Sequence, residues 1–291
     1  MTTPQNPRLA ILLILCATAF FAGTTLLAKT IGTGVLGDPL HPLQISHGRF
    51  VFAFLSMFSV ALIMRPKIRN PNLKRHIART AFGWAGVTLM FASVAYIPLS
   101  DATAISFLNP VFAMMLAIPL LGETVGRVRW SAAAIALVGA MILIRPGAGT
   151  FQPAALLALG AAIIMGVEVI VIKRLANSEP PFQILLVNNG IGLIISSIAV
   201  VPFWVMPTPH QWAALAGIGM LMAAGQALFI NAMARADASM VAPFSYATLL
   251  FAGLYDMLIF DVFPDAISIL GALVIVSGAA MLAWREARIR P

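Results

Sequence analysis

The chain has 291 residues, 60% of them hydrophobic and 10% charged, with a formal net charge of +8. An average soluble domain carries about 25% charged residues, and a mean hydropathy of +0.96 points the same way. A soluble enzyme is therefore excluded, and at ~20 apolar residues per bilayer crossing the length suits about ten helices and little else.

The first apolar segment is Leu9–Ala28. Its run is longer than the core of a signal peptide, and Leu13-Ile14-Leu15 before Cys16 lacks the small residue of a lipidation site. We read it as an uncleaved helix. Cys16 is the only cysteine, so neither an intramolecular disulfide nor a Cys-x-x-Cys site can form. Next come Leu43–Met64, Thr80–Ile97, Ala102–Leu121 and Trp130–Ile144. The last is short, but Val128 and the stems of Arg129 and Arg145 extend it by snorkelling. Five more follow: Pro153–Ile172, Pro181–Val205, Trp212–Ala234, Ala238–Phe260 and Ala266–Trp284. These runs are too long for strands, do not alternate and lack the polar lumen face of an outer-membrane barrel. The expected fold is an all-α integral membrane protein with ten transmembrane helices.

With the N-terminus placed in the cytoplasm, fifteen Lys and Arg fall on that side, from Arg8 through Arg65–Arg79 to Arg290. Arg145 stands alone opposite, while Lys29 and Arg49 lie in or at the ends of helices. The positive-inside rule then puts both termini in the cytoplasm. It also disposes of nucleic acid, because the charge follows the membrane and is not gathered in a patch.

Short matches recur between the halves. Pro42-Leu43-Gln44 returns as Pro181-Phe182-Gln183, Asp101-Ala102-Thr103 as Asp237-Ala238-Ser239, Glu123 as Asp261, and Gly139-Ala140-Met141 as Gly278-Ala279-Ala280-Met281. The offsets are 139, 136, 138 and 139. Residues 1–147 and 148–291 are accordingly expected to be two five-helix repeats. An odd number of crossings per half makes them inverted, an architecture of secondary transporters with the substrate near the midplane.

Two five-helix halves, Arg49 early in the second segment, Asn109-Pro110-Val111 in the fourth and Leu121-Gly122-Glu123 at its end resemble the drug/metabolite transporter superfamily, EamA type. In the second half Ser245-Tyr246 and Asp261 replace the Asn-Pro pair and the Glu. The resemblance implies movement of small metabolites, amino acids among them, across a bacterial inner membrane. It also implies a central cavity lined by the third, fourth, eighth and ninth segments.

Polar groups inside the bilayer point to function, since a charge there is costly. Arg49 is expected to face the cavity or hold a gate, the alternative being snorkelling to the headgroups with help from Asp38. Glu168 and Lys173, five apart, lie on different faces of one helix. Glu168 therefore needs another donor or water, and is a candidate proton carrier. Asp256 is expected at the outer interface with Tyr255 in an aromatic belt, Asp101 and Asp237 as helix N-caps, and Glu123 paired with Arg127. Pro110 and Pro243 free the carbonyls of Ser106 and Ser239 and are candidate gate kinks. Candidate substrate contacts are Ser106, Asn109, Gln226, Asn231, Ser245 and Tyr246, with Trp84, Thr88, Phe91 and Tyr96 as an aromatic stripe on the third segment. Asn188 and Asn189 are expected to bind neighbouring helices.

The expected function is secondary transport of a small metabolite, with a large or aromatic amino acid as first choice and export or exchange as direction. A drug, nucleotide or other metabolite is the alternative within the same superfamily. No Gly-x-x-x-x-Gly-Lys-[Ser/Thr] motif is present, which excludes ATP hydrolysis by this chain. An intramembrane enzyme on lipid-linked substrates would need clustered carboxylates, and a channel rings of like charge; the sequence shows neither. The expected partners are the solute, the bilayer and protons. No metal or cofactor is expected, and a monomer should suffice.

Overall fold

The computed structural model describes residues 6–66, 70–121, 126–144, 152–176, 179–233, 235, 244 and 247–289. They form α1 (Pro7–Gly32), α2 (Pro42–Met64), α3 (Leu73–Val94), α4 (Leu99–Ser106), α5 (Asn109–Leu121), α6 (Arg127–Ile144), α7 (Ala155–Ala176), α8 (Pro181–Val200), α9 (Pro209–Met233), α10 (Ala247–Phe260) and α11 (Ala266–Ile289). A 3-10 turn, Val201–Phe203, follows α8, and no strand occurs among the described residues. Among the described residues seven stretches are long and apolar enough to cross a membrane, α4 and α5 together making one. Trp130–Leu143, Ala247–Phe260 and Ala266–Gly278 are shorter apolar helices.

Local chemistry sets the helix ends. Proline opens α1, α2 and α8, where its missing N–H is no loss. The Asn6 side chain accepts from Leu9 N–H at 3.1 Å and that of Asn72 from Arg75 N–H at 3.2 Å. Asn72 thus starts α3 well before Thr80, which brings His76 and Arg79 into the helix. At its other end α3 stops at Val94, leaving Tyr96 in a turn. The fourth segment is broken at Phe107–Leu108 into α4 and α5. Pro110, second in α5, cannot donate to Ser106. The break tightens instead into bonds from Phe107 N–H to Ala104 O and Leu108 N–H to Ile105 O. Asp101 is not an N-cap: Pro98 occupies that position, and Asp101 sits inside α4, buried, accepting from Ser268 Oγ at 3.1 Å. Asp237, Pro243, Ser245, Tyr246 and Glu123 lie outside the described residues.

Packing follows a regular scheme. α1 lies on α9 and α10, α3 on α7 and α8, α2 on α8 and α9, and α5 on α7. α6 and α11 pack chiefly on each other. Their backbones meet at glycine: a Cβ on Gly139 would come within 2.7 Å of Ile275 N and 2.8 Å of Gly271 O. A Cβ on Gly278 would come within 2.7 Å of Ala132 O and of Ala136 N. Apolar side chains such as Leu62, Ile63, Ile198, Leu250 and Leu258 face outward, while Lys29, Arg49, Arg79 and Asp256 are buried. That is the polarity a bilayer imposes. At the end opposite the N-terminus, the Gln44 side chain brackets the backbone of Val205, and Gln211 Nε2 donates to Asp38 O at 2.7 Å.

Candidate functional site

A cavity of about 350 Å³ lies among α1–α4 and α7–α10. It falls within the roughly 300–1,000 Å³ typical of small-molecule sites. Its charged groups are Arg49 from α2, Arg79 from α3 and Glu168 from α7. Arg79 Nε stands 3.6 Å from Glu168 Oε1, and Arg79 Nη1 donates to Ile184 O at 3.1 Å. Arg49 is 5% exposed, so it does not snorkel to the headgroups. Its guanidinium carbon lies 4.4 Å from the centroid of the Phe50 ring. Gly83 on α3 leaves room for the Glu168 carboxylate, since a Cβ there would come within 2.7 Å of Glu168 Oε1.

Of the substrate candidates, Phe91, Ser106 and Gln226 line this cavity. Ser106 Oγ donates to Thr103 O at 2.6 Å, whereas Gln226 Oε1 is sealed from solvent without a partner among the described residues. Trp84, Thr88 and Asn109 do not line it, and Thr88 Oγ1 instead donates to Trp84 O at 2.8 Å. Tyr96 is 76% exposed because α3 ends before it, and it belongs to a separate surface depression beside Gln152. Asn231 lines a different, lateral groove between α2, α8 and α9, where its side chain accepts from Arg235 Nη1 at 2.8 Å. Asn188 reaches the cavity and accepts from Thr80 Oγ1 at 3.1 Å; Asn189 Nδ2 donates to Leu185 O within its own helix.

Two polar clusters hold the bundle outside this cavity. Asp256 is fully buried and not interfacial: it pairs with Lys29 Nζ at 2.5 Å and accepts from Ser100 N–H at 2.9 Å. Lys29 lies inside the membrane span because α1 continues to Gly32, and its ammonium also sits 4.3 Å from the Phe260 ring centroid. The neighbouring Tyr255 is only partly exposed, its hydroxyl 3.3 Å from Ala19 O. At the other end, Glu179 joins the start of α3 to the start of α8. It accepts from Asn72 N–H at 2.9 Å, from Gln183 Nε2 at 2.7 Å, and lies 2.8 Å from His76 Nε2. Burial pushes the Glu179 carboxyl up, but the hydrogen bonds from Asn72, His76 and Gln183 outweigh it and hold it below the usual carboxylate range. Among the described residues no group of His, Cys, Asp and Glu is placed to hold a metal.

Arg79, Asp256 and Glu179 are the residues that sequence reasoning missed. Arg79 follows a run of loop charges and reads as one of them; the signal that it lies in a helix is Asn72, an N-cap residue seven positions upstream. For Asp256 the signal was Lys29, a second charge inside an apolar run.

The EamA-like transporter family matches residues 8–145 and again residues 152–284. The S-adenosylmethionine uptake transporter of Rickettsia bellii is 26% identical over 260 residues, 89% of each chain. The riboflavin transporter of Rhizobium johnstonii is 32% identical over 251 residues, 82% of this chain and 80% of that one. The pseudopaline exporter CntI of Pseudomonas aeruginosa is 23% identical over 202 residues, 69% and 71% of the two chains. A crystal structure superposes with a TM-score of 0.65 over 98% of this chain and 100% of that one, at 21% identity, which speaks to the fold. With two matches that together span nearly its full length, the chain belongs to the EamA-like transporter family.

Proposed function

We propose that the chain is a secondary transporter that moves a small organic metabolite across a bacterial inner membrane by alternating access, with the central cavity as its substrate site. The observation that carries this reading is a cavity holding Arg49, Arg79 and Glu168 inside a predominantly apolar helical bundle. Charges are not kept there without a purpose or a partner. The relatives bear the names of S-adenosylmethionine, riboflavin and pseudopaline, which favours the wider metabolite class over an amino acid. They include both an uptake transporter and an exporter.

The two family matches support a duplication, and the contacts support its inversion. Gly139 meets 271 and 275; Gly278 meets 132 and 136. These contacts exchange under the equivalences 139/278, 132/271 and 136/275, each an offset of 139, as a pseudo-two-fold axis between α6 and α11 requires. In the same way α1 on α9 answers to α7 on α3, and α5 on α7 to α10 on α1. Opposed halves of this kind rock about a central site. The Pro110 break gives one half a gate kink, and Pro243 is its proposed counterpart. Glu168 is the proposed proton carrier, both termini are proposed to be cytoplasmic, and a monomer is the proposed unit.

Purified protein in liposomes should exchange at least one member of a panel of riboflavin, S-adenosylmethionine, amino acids and organic acids above the leak of empty liposomes. No exchange of any panel member would sink the transporter reading. In a Cys16→Ser background, an impermeant thiol reagent applied to cells should label Val35→Cys and spare Asn70→Cys. The reverse pattern would invert the topology.

A further inference from the structure

We infer that the cavity is built for an organic anion: one carboxylate or equivalent oxyanion head, received by Arg49, on an apolar or aromatic body. This rests on the transporter reading above and names the class of its cargo. The charge balance comes first. Arg49, Arg79 and Glu168 are the ionisable groups lining the cavity among the described residues, two guanidiniums against one carboxylate. Arg79 is the guanidinium already engaged, beside Glu168 and bonded to Ile184 O. One positive charge is left over, and it belongs to Arg49.

The state of Arg49 adds geometry to that balance. It is 5% exposed, and both Nε and Nη1 are sealed from solvent with no acceptor among the described residues. A guanidinium offers parallel N–H groups that match the two oxygens of a carboxylate. The two other cations buried to this depth among the described residues, Lys29 and Arg79, have Asp256 and Glu168 as carboxylate partners. Arg49 is therefore an exception that a bound anion resolves. A neutral cargo would leave the charge uncompensated, and a cationic one would add to it. The rest of the cavity fits the other end of such a molecule. Phe21, Phe91, Met90, Met165 and Met222 supply apolar walls, while Gln226 Oε1 and Thr103 Oγ1, also sealed and unpartnered among the described residues, await a polar substituent on the body.

The test uses three molecules that share one ring system and differ in charge: indole-3-acetate, indole-3-acetamide and tryptamine, with indoxyl sulfate to separate carboxylate from other oxyanions. Calorimetry on the detergent-solubilised protein, and counterflow in liposomes, should rank the acid above the amide by about tenfold or more, with the amine weakest. Indoxyl sulfate ranking with the acid would widen the class to oxyanions in general; ranking with the amide would narrow it to carboxylates. Arg49→Gln should abolish the preference for the acid, and Arg49→Lys should keep part of it. The wild-type ranking needs no variant to fold. Equal or better binding of the amide or amine, or of none of the three, overturns the inference, as does an intact preference in Arg49→Gln. If riboflavin or S-adenosylmethionine is exchanged while the acid shows no preference, the anion inference fails and the transporter reading stands. If nothing is exchanged, the transporter reading fails, and the calorimetric ranking alone decides whether the cavity selects anions.

Discussion

Glu168 is held between two constraints of different hardness. On one side is Arg79, 3.6 Å away; on the other is the bare backbone of Gly83, which leaves room for its carboxylate. Adding a methyl at position 83 would intrude on the tip of the Glu168 side chain and not on the backbone of α7. Gly83→Ala should therefore fold, displace the Glu168 carboxylate and slow exchange in liposomes, while the melting temperature stays within a few degrees of wild type. Slow exchange accompanied by a collapse in melting temperature would show that Gly83 serves packing instead. Glu168→Gln tests the carrier role separately: it should remove stimulation of transport by a pH gradient and leave exchange without a gradient measurable. Persistent stimulation in Glu168→Gln would take the proton role away from this residue.

Between elements, two carboxylates act as fasteners with different exposure to water. Asp256 ties α10 to α1 through Lys29 and to α4 through Ser100, wholly inside the bundle. Removing one member of such a pair strands its partner, so Lys29→Met should cost about 3–5 kcal/mol, whereas Lys29→Met with Asp256→Leu should cost much less than the sum. Additive losses in a denaturation series would argue against coupling. Glu179 fastens α3 to α8 outside the spans. Its folded carboxyl titrates below the ordinary value of 4.5. The stability it contributes is thus complete above that value and is lost as pH falls through the depressed folded pKa. Glu179→Gln should lower stability at neutral pH and flatten the loss below about pH 4.5 seen for wild type. An unchanged acid limb would remove Glu179 from the account. These fasteners also show what could be read from residues alone. Arg49 stood out as a charge inside an apolar run, and Pro110 correctly marked a break. Asp256 lay near the end of its run and resembled an interfacial residue, because its partner is 227 positions away. Arg79 is hidden by neighbouring loop charges, and Tyr96 joins the aromatic stripe only on a helix running to Ile97, whereas α3 ends at Val94. Charges inside spans are legible; which charge meets which depends on packing between distant helices.

At the scale of the whole molecule, the cavity draws on α1–α4 and α7–α10, and none of its lining comes from α6 or α11. Those two pack on each other through Gly139 and Gly278. A larger side chain at either glycine would collide with backbone, which cannot rotate away, at a cost of about 1–3 kcal/mol or more. Gly139→Leu and Gly278→Leu should lower the melting temperature by similar amounts, yet leave the ranking of transported solutes unchanged. A shift in ranking would mean that this pair shapes the cavity after all.

The α6–α11 crossing also bears on how the two halves can move. Points on an axis of rotation travel least, and under the proposed inverted duplication the matched contacts of Gly139 and Gly278 put the two-fold axis where these helices touch. On that proposal α6 and α11 work together as a hinge pin. The close backbone approach at Gly139 and Gly278 gives a pivot with little slack, so the proposed rocking about it would be passed to the cavity that holds Arg49 and Glu168. Mechanical leverage, set by the distance from pin to cavity, becomes a property of this fold alongside the chemistry of its site.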